Sequence, residues 1–197
     1  MLENELFYRI LALTVLAVFY GIYFIKMAAQ AKQGIRTHQI GRRREKGLHT
    51  VETIMSIATL GVVIVQLAAI VSGHSHMPPV GRLAGFAVGI AGDAVFLASV
   101  LCMKDSWRAG IPESDKTKLV VGGIYSVSRN PAFLGFDMMY LGVAMLYLNI
   151  PVVLFSLFAQ IMLHLQILQE EKYMAASFGS EYVSYKQKVL RYLGRRG

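Results

Sequence analysis

Five long apolar blocks limit what this chain can fold into more than any other feature. They cover residues 6–29, 51–72, 83–103, 132–148 and 151–168. A helix of about 20 apolar residues crosses the hydrocarbon core of a bilayer. Backbone polar groups inside that core must be paired, which favours helices. The sequence therefore predicts an all-α integral membrane protein with five transmembrane helices.

The fourth and fifth blocks are separated by only Asn149 and Ile150, which predicts a tight C-terminal helical hairpin. Pro131 can occupy the first turn of a helix, so we expect the fourth helix to begin there. Beyond the fifth block, an amphipathic stretch broken at Gly179 predicts tail helices in the cytoplasm.

Composition agrees with a membrane protein, because 55% of the residues are hydrophobic and only 16% are charged. A soluble domain carries roughly a quarter charged residues. The first block is too long for the core of a cleaved signal peptide, so we expect it to be retained. Cys102 is the single cysteine, which excludes an internal disulfide and a cysteine metal cluster, and we expect no metal.

The net charge of +8 is concentrated in three segments: between the first and second blocks, between the third and fourth, and in the tail. By the positive-inside rule this pattern predicts an outer N-terminus and a cytoplasmic C-terminus, in the inner membrane if the source is bacterial. Anionic lipid head groups account for the basic excess, so we expect no nucleic-acid partner.

The polar residues divide the chain into two parts. Residues 1–103 are interpreted as a three-span scaffold, and residues 104–197 as a cytoplasmic loop, hairpin and tail that carry the chemistry. Asp93 and Asp137 lie inside spans, where an ionised carboxylate costs at least about 2.5 kcal/mol, so each forms a structural ion pair or has a function. Glu170 and Glu171 end an apolar helix, and either mark its exit from the membrane or belong to a site.

A set of short motifs in the C-terminal half occurs in a known order. They are Gly123-Ile124-Tyr125, Arg129-Asn130-Pro131, Glu170-Glu171, Phe178-Gly179 with Tyr182 and Tyr185, and Arg191. Across roughly residues 104–193 the chain resembles the isoprenylcysteine carboxyl methyltransferase family and its phospholipid methyltransferase relatives.

The resemblance implies an enzyme that transfers a methyl group from S-adenosylmethionine bound between loop, hairpin and tail. The implied cofactor contacts are Thr117, Lys118, Leu119, Val120, Tyr125, Asn130, Pro131, Ala132, Phe133 and Glu170. A carboxylate such as Glu170 can accept hydrogen bonds from two ribose hydroxyls. Arg129 or Arg191 could bind the methionyl carboxylate through paired hydrogen bonds.

The resemblance also implies catalytic and acceptor-binding residues. The catalytic candidates are Arg129, Asp137 and Glu171, and the substrate candidates are Gln166, Tyr140 and Arg191. The expected partners are membrane lipids and a lipidic or amphiphilic methyl acceptor; the oligomeric state stays open.

Two departures from the family pattern concern the substrate. Many relatives have Arg-His-Pro-x-Tyr where this chain has Arg129-Asn130-Pro131-Ala132-Phe133. Gln166 occupies the position of an arginine that the isoprenylcysteine enzymes use to hold substrate. Because a neutral amide is a poor partner for a carboxylate, a lipid amine or another amphiphile stands beside the prenylcysteine carboxylate as a possible acceptor.

Two other function classes remain open from sequence. An NADPH-dependent membrane reductase of the sterol reductase type has a similar hairpin, and would need convergent cations to bind three phosphates. The candidate cations are Lys116, Lys118, Arg129 and Arg191. A non-catalytic lipid-binding membrane protein would tolerate Glu170→Ala and Arg129→Ala.

Overall fold

The structure, a computed structural model, describes residues 2–40, 46–111 and 118–196. It contains the helices α1 (Leu2–Lys32), α2 (Lys46–Ser72), α3 (Pro79–Met103), α4 (Pro131–Leu146) and α5 (Ile150–Lys188). Two single 3-10 turns, Lys104–Ser106 and Gly123–Ser126, lie between α3 and α4. None of the described residues forms a β-strand, which confirms the prediction of an all-α membrane fold.

Four of these helices (α1, α2, α3 and α5) are long and apolar enough to cross a membrane. The fifth apolar helix, α4, has 16 residues and begins at Pro131 as predicted. At 1.5 Å per residue it is about 24 Å long, shorter than the hydrocarbon core of about 30 Å. The protein is therefore a multi-pass membrane protein with one short helix in its hairpin.

Glycines bring α3 and α4 into close contact. A Cβ atom added at Gly142 would lie 2.5 Å from the backbone nitrogen of Gly89 and 2.7 Å from the carbonyl oxygen of Gly85. A Cβ atom added at Gly135 would lie 3.0 Å from the carbonyl oxygen of Gly92. Small residues at such positions let two backbones approach in a bilayer, where packing rather than the hydrophobic effect holds helices together. The short helix is thus held along its length by α3.

An ionic cluster joins α1, α3 and the hairpin tip at the end of the bundle opposite residues 118–130. Arg82 donates to the two carboxylate oxygens of Glu5 at 2.9 and 3.1 Å, and the Tyr147 hydroxyl donates to the same carboxylate at 2.7 Å. The guanidinium carbon of Arg82 also lies 3.8 Å from the centre of the Tyr8 ring. These contacts fix the hairpin tip relative to the first helix.

The helix α5 is longer than its apolar block and carries the predicted break. Asn149 caps its N-terminus by accepting a hydrogen bond from the Val152 backbone nitrogen at 3.0 Å. Gly179 has φ 53° and ψ −129°, so the helix is kinked there and its last residues run in a new direction. Left-handed φ values favour glycine, because it has no Cβ.

The segment 189–196, here called the tail strap, folds back beneath the hairpin. The carbonyl oxygen of Leu190 accepts a hydrogen bond from the Arg129 backbone nitrogen at 3.1 Å, and Gly194 donates to the carbonyl oxygen of Val127 at 2.7 Å. The tail strap therefore fixes the polypeptide immediately before α4.

Candidate active site

The loop before α4, the first turn of α4 and the middle of α5 meet around a polar cavity. Its lining includes eight of the implied cofactor contacts and two of the catalytic candidates, namely Lys118, Leu119, Val120, Tyr125, Asn130, Ala132, Phe133 and Glu170, with Arg129 and Glu171. Pro131 is buried in the first turn of α4 next to this lining. Thr117 lies outside the described residues. The structure thus brings together two regions that are about 40 residues apart in the sequence.

Glu171 is the centre of a buried ion cluster beside this cavity. Its carboxylate accepts from Nε and a terminal nitrogen of Arg191, each at 3.0 Å, and lies 3.1 Å from a terminal nitrogen of Arg129. The side-chain amide of Asn130 donates to the same carboxylate at 3.3 Å. Because Glu171 is only 6% exposed, it depends on these partners for its charge to be stable.

The ion cluster has an excess of positive charge. Two guanidinium groups share one carboxylate, and the hydrogen bond to Glu171 raises the pKa of Arg191 further. The Nε atom of Arg129 is buried and has no hydrogen-bond partner among the described residues. The geometry therefore suits an anionic group of a ligand, while Glu171 positions the two arginines.

Glu170 has different surroundings, although it is the adjacent residue. It lines the polar cavity and also a second, apolar cavity, described below. The side-chain nitrogen of Gln166, one helical turn earlier, donates to Oε1 of Glu170 at 3.3 Å. A carboxylate has about four acceptor positions, so Glu170 can still accept hydrogen bonds from two hydroxyl groups.

Tyrosines after the kink hold the loop against α5. The hydroxyl of Tyr185 donates to the carbonyl oxygen of Tyr125 at 2.6 Å, and the hydroxyl of Tyr182 accepts from Arg129 at 3.4 Å. Both tyrosines line the polar cavity. In the sequence they are motif residues without an assigned role, but their spacing of three places them on one helix face, which could have indicated a shared role. Burial raises the pKa of Tyr125, so its hydroxyl stays neutral.

The apolar cavity, of about 450 Å³, adjoins the polar one. The two cavities share six lining residues: Trp107, Arg108, Gly110, Ala132, Phe133 and Glu170. Rings of Tyr20, Tyr23, Phe24, Phe96, Phe136 and Tyr140 line the apolar cavity, together with Met55, Thr59 and Val63 of α2. Gln166 and Tyr140, both substrate candidates, lie in this wall.

The first two helices thus contribute to the candidate site as well as to the scaffold. Tyr20, Tyr23 and Phe24 follow one another at helical spacing, which places them on one face of α1. That aromatic stripe is the signal in the sequence that could have identified the second cavity. From sequence alone, such a stripe is equally compatible with helix packing.

Three of the described predicted site residues line neither cavity: Pro131, Arg191 and Asp137. Arg191 reaches the site through Glu171. Asp137 lies toward the tail strap: burial and the nearby carboxylate of Asp137 raise the pKa of Tyr192, whose hydroxyl is 2.6 Å from Nδ1 of His164. One carboxylate oxygen of Asp137 is buried without a hydrogen-bond partner among the described residues. We therefore assign Asp137 no role in the function proposed below.

Comparison with known proteins connects this geometry with a family. A family model described as phospholipid methyltransferase matches residues 82–181, just over half of the chain. The chain belongs to the phospholipid methyltransferase family. The match runs from α3 into α5 and covers the lining residues of the polar cavity from Met103 to Met174. The tail strap lies beyond the end of the match.

Two fungal proteins named protein-S-isoprenylcysteine O-methyltransferase are similar to the chain over a shorter stretch. The protein of Saccharomyces cerevisiae is 41% identical over 78 residues, which are 39% of this chain and 32% of the yeast protein. That of Schizosaccharomyces pombe is 39% identical over 72 residues, 36% of this chain and 30% of the relative. The matched stretch spans about a third of the length of these relatives.

Proposed function

We propose that this protein transfers a methyl group from S-adenosylmethionine to a lipidic or small amphiphilic acceptor inside the membrane. The observation that carries the proposal is the meeting of a polar, net-cationic cavity with an apolar, aromatic cavity at Phe133 and Glu170. A water-soluble cofactor and a lipid-soluble acceptor need such a pair of compartments with a common wall.

The residues of the polar cavity fit the chemical groups of S-adenosylmethionine. Glu170 would accept from the ribose hydroxyls, and the cluster of Arg129 and Arg191 around Glu171 would attract the methionyl carboxylate. The rings of Tyr125 and Phe133 offer flat faces to an adenine or a sulfonium cation. The bound cofactor supplies an activated methyl group, so the protein's task is to orient the attacking atom.

The apolar cavity would hold the acceptor. Its wall combines aromatic rings of α1 and α4 with residues of α2. The lining residues of α1 and α2 lie within helices long and apolar enough to cross a membrane. The names of the fungal relatives indicate a prenylcysteine carboxylate, and the family description indicates a phospholipid. Both acceptors carry long apolar chains, which this cavity suits.

The arrangement gives less support to an NADPH-dependent reductase. Glu171 neutralises one of the two positive charges of Arg129 and Arg191, two of the four candidate cations, so the cluster leaves one net charge, which suits one carboxylate rather than three phosphates. Lys118 lines the polar cavity, and Lys116 lies outside the described residues. A site for three phosphates needs several cations free to converge.

We propose that the polar cavity lies on the cytoplasmic side and the N-terminus outside, because basic residues concentrate in the loops on the cavity side and such loops favour the cytoplasm. Cytoplasmic S-adenosylmethionine would then reach the loop side of the site, while the acceptor approaches within the bilayer.

A titration of the purified protein in detergent tests the proposal. We expect saturable binding of S-adenosylmethionine and S-adenosylhomocysteine and no binding of NADPH. Saturable binding of NADPH without binding of either adenosyl compound would favour the reductase. Binding of none of these three compounds would favour a non-catalytic protein. Transfer of a labelled methyl group to extracted lipids then tests the reaction itself.

A further inference from the structure

The side chain of Gln166 has a buried hydrogen-bond acceptor in the wall of the apolar cavity. Gln166 is 1% exposed, and its Oε1 has no hydrogen-bond partner among the described residues. Its nitrogen already donates to Glu170 at 3.3 Å. The opposite orientation of the amide would place its oxygen against a carboxylate oxygen, so the free atom is an acceptor rather than a donor. A buried acceptor without a partner costs about 1–3 kcal/mol, which a ligand with a donor hydrogen would recover.

The surroundings of Gln166 favour the same kind of ligand. Glu170 lines the cavity one helical turn after Gln166, so its carboxyl oxygens add further hydrogen-bond acceptors to this part of the wall. Aromatic rings make up much of the remaining lining, and their faces attract cations. Arg108 is the arginine in this lining, and one of its terminal nitrogens donates to the carbonyl oxygens of Asp105 and Trp107. Arg129 and Arg191 belong to the ion cluster of Glu171, and neither lines the apolar cavity.

We propose that Gln166 selects a methyl acceptor whose head group presents an N–H or O–H hydrogen over a carboxylate, which has no hydrogen to donate to the amide oxygen. This inference rests on the proposed function. In the reaction, the lone pair of the acceptor nitrogen or oxygen forms the bond to the methyl carbon. The carbon–sulfur bond breaks with its electron pair left on sulfur, and the acceptor releases a proton to water. Gln166 acts by recognising the head group; it takes no part in bond making.

Three probes with the same chain distinguish the acceptor classes: dodecylamine, dodecanol and dodecanoate. Each is added at the same mole fraction to phosphatidylcholine nanodiscs that contain the full chain. Phosphatidylcholine is a suitable host because its head group has neither an N–H nor an O–H. The measurement is the transfer of labelled methyl from S-adenosylmethionine. For the wild type we expect at least tenfold more product from the amine or the alcohol than from the carboxylate.

The variant Gln166→Arg replaces the hydrogen-bond acceptor of the amide by the N–H donors of a guanidinium group. We therefore expect the ratio of methylated amine or alcohol to methyl ester to fall at least tenfold. The control Gln160→Arg introduces the same charge on α5 at a position that lines neither cavity, and we expect its ratio to match the wild type. A ratio within one protein does not depend on how much of that protein is folded.

Separate outcomes identify which proposal fails. Absence of S-adenosylhomocysteine binding contradicts the proposed function. A wild-type preference for dodecanoate, or no methylation of the amine and the alcohol by protein that binds S-adenosylhomocysteine, overturns the inference on Gln166. The same ratio in Gln166→Arg as in the wild type also overturns it.

Discussion

Glu170 and Glu171 are adjacent residues with different tasks. Successive residues on a helix point about 100° apart, so one carboxylate lines the two cavities and the other meets the arginines. The motif in the sequence indicates that the pair belongs to a site. It does not indicate which glutamate faces the ligand, because that depends on how α5 is rotated against α4 and the tail strap.

We expect Glu170→Gln to weaken the binding of S-adenosylhomocysteine about tenfold to a hundredfold, because hydrogen bonds to a charged acceptor contribute roughly 1.5–3 kcal/mol. Isothermal titration of the detergent-solubilised variant measures the change. Glu181→Gln is the matched control, since Glu181 is exposed on the same helix. Unchanged binding by Glu170→Gln would remove this residue from the cofactor site.

Glu171→Ala should act mainly on stability. The substitution leaves Arg129 and Arg191 without their shared counter-ion, and removal of one partner from a buried ion pair costs about 3–5 kcal/mol. We expect a clear decrease in the midpoint of thermal denaturation, whereas Glu181→Ala should leave it nearly unchanged. A variant as stable as the wild type but inactive would instead support direct participation of Glu171 in the reaction.

At the scale of elements, the lengths of the apolar blocks predict the helices well. Pro131 and Gly179 also mark a helix start and a kink correctly, since each has a backbone restriction of its own. The partner of each helix is harder to predict, because lipid-facing and protein-facing sides are both apolar. The contact between α3 and α4 illustrates this: its glycines are visible in the sequence, but their pairing is not.

Gly142→Ala tests that contact. The new methyl group would lie 2.5 Å from the backbone nitrogen of Gly89, so α3 and α4 would have to separate. We expect destabilisation by about 1–3 kcal/mol, as is typical of overpacking. Gly21→Ala on α1 is the control, because a Cβ atom there meets no atom within 4 Å. Equal thermal denaturation midpoints for both variants would contradict the close packing.

At the scale of the whole molecule, the site depends on more of the chain than its motifs suggest. The motifs lie in residues 104–197, and they predict the polar cavity because their order is specific. The apolar cavity also needs α1 and α2, which carry no family motif and contribute side chains such as Tyr20 and Met55. Aromatic and aliphatic residues are ordinary in any span, so composition alone does not separate a cavity wall from lipid contact.

The two cavities should be separable by substitution. Val63 lines the apolar cavity and Ile64, the next residue, is exposed on the outer surface of α2. We expect Val63→Trp to lower methyl transfer to a lipidic acceptor at least tenfold while S-adenosylhomocysteine binding stays within about twofold of the wild type. Ile64→Trp should change neither quantity. Equal effects of the two variants on transfer would argue against an acceptor in this cavity.

The shortness of α4 has a consequence for the host bilayer. The helix α4 extends about 24 Å from the hairpin tip, so it is shorter than a hydrocarbon core of ordinary thickness, about 30 Å. The polar loop that precedes it would therefore lie below the level of the surrounding head groups unless the lipid next to the hairpin becomes thinner. Hydrophobic mismatch of this kind costs fractions of a kcal/mol per ångström. The acyl-chain length of the host membrane would then regulate how easily a soluble cofactor reaches the polar cavity.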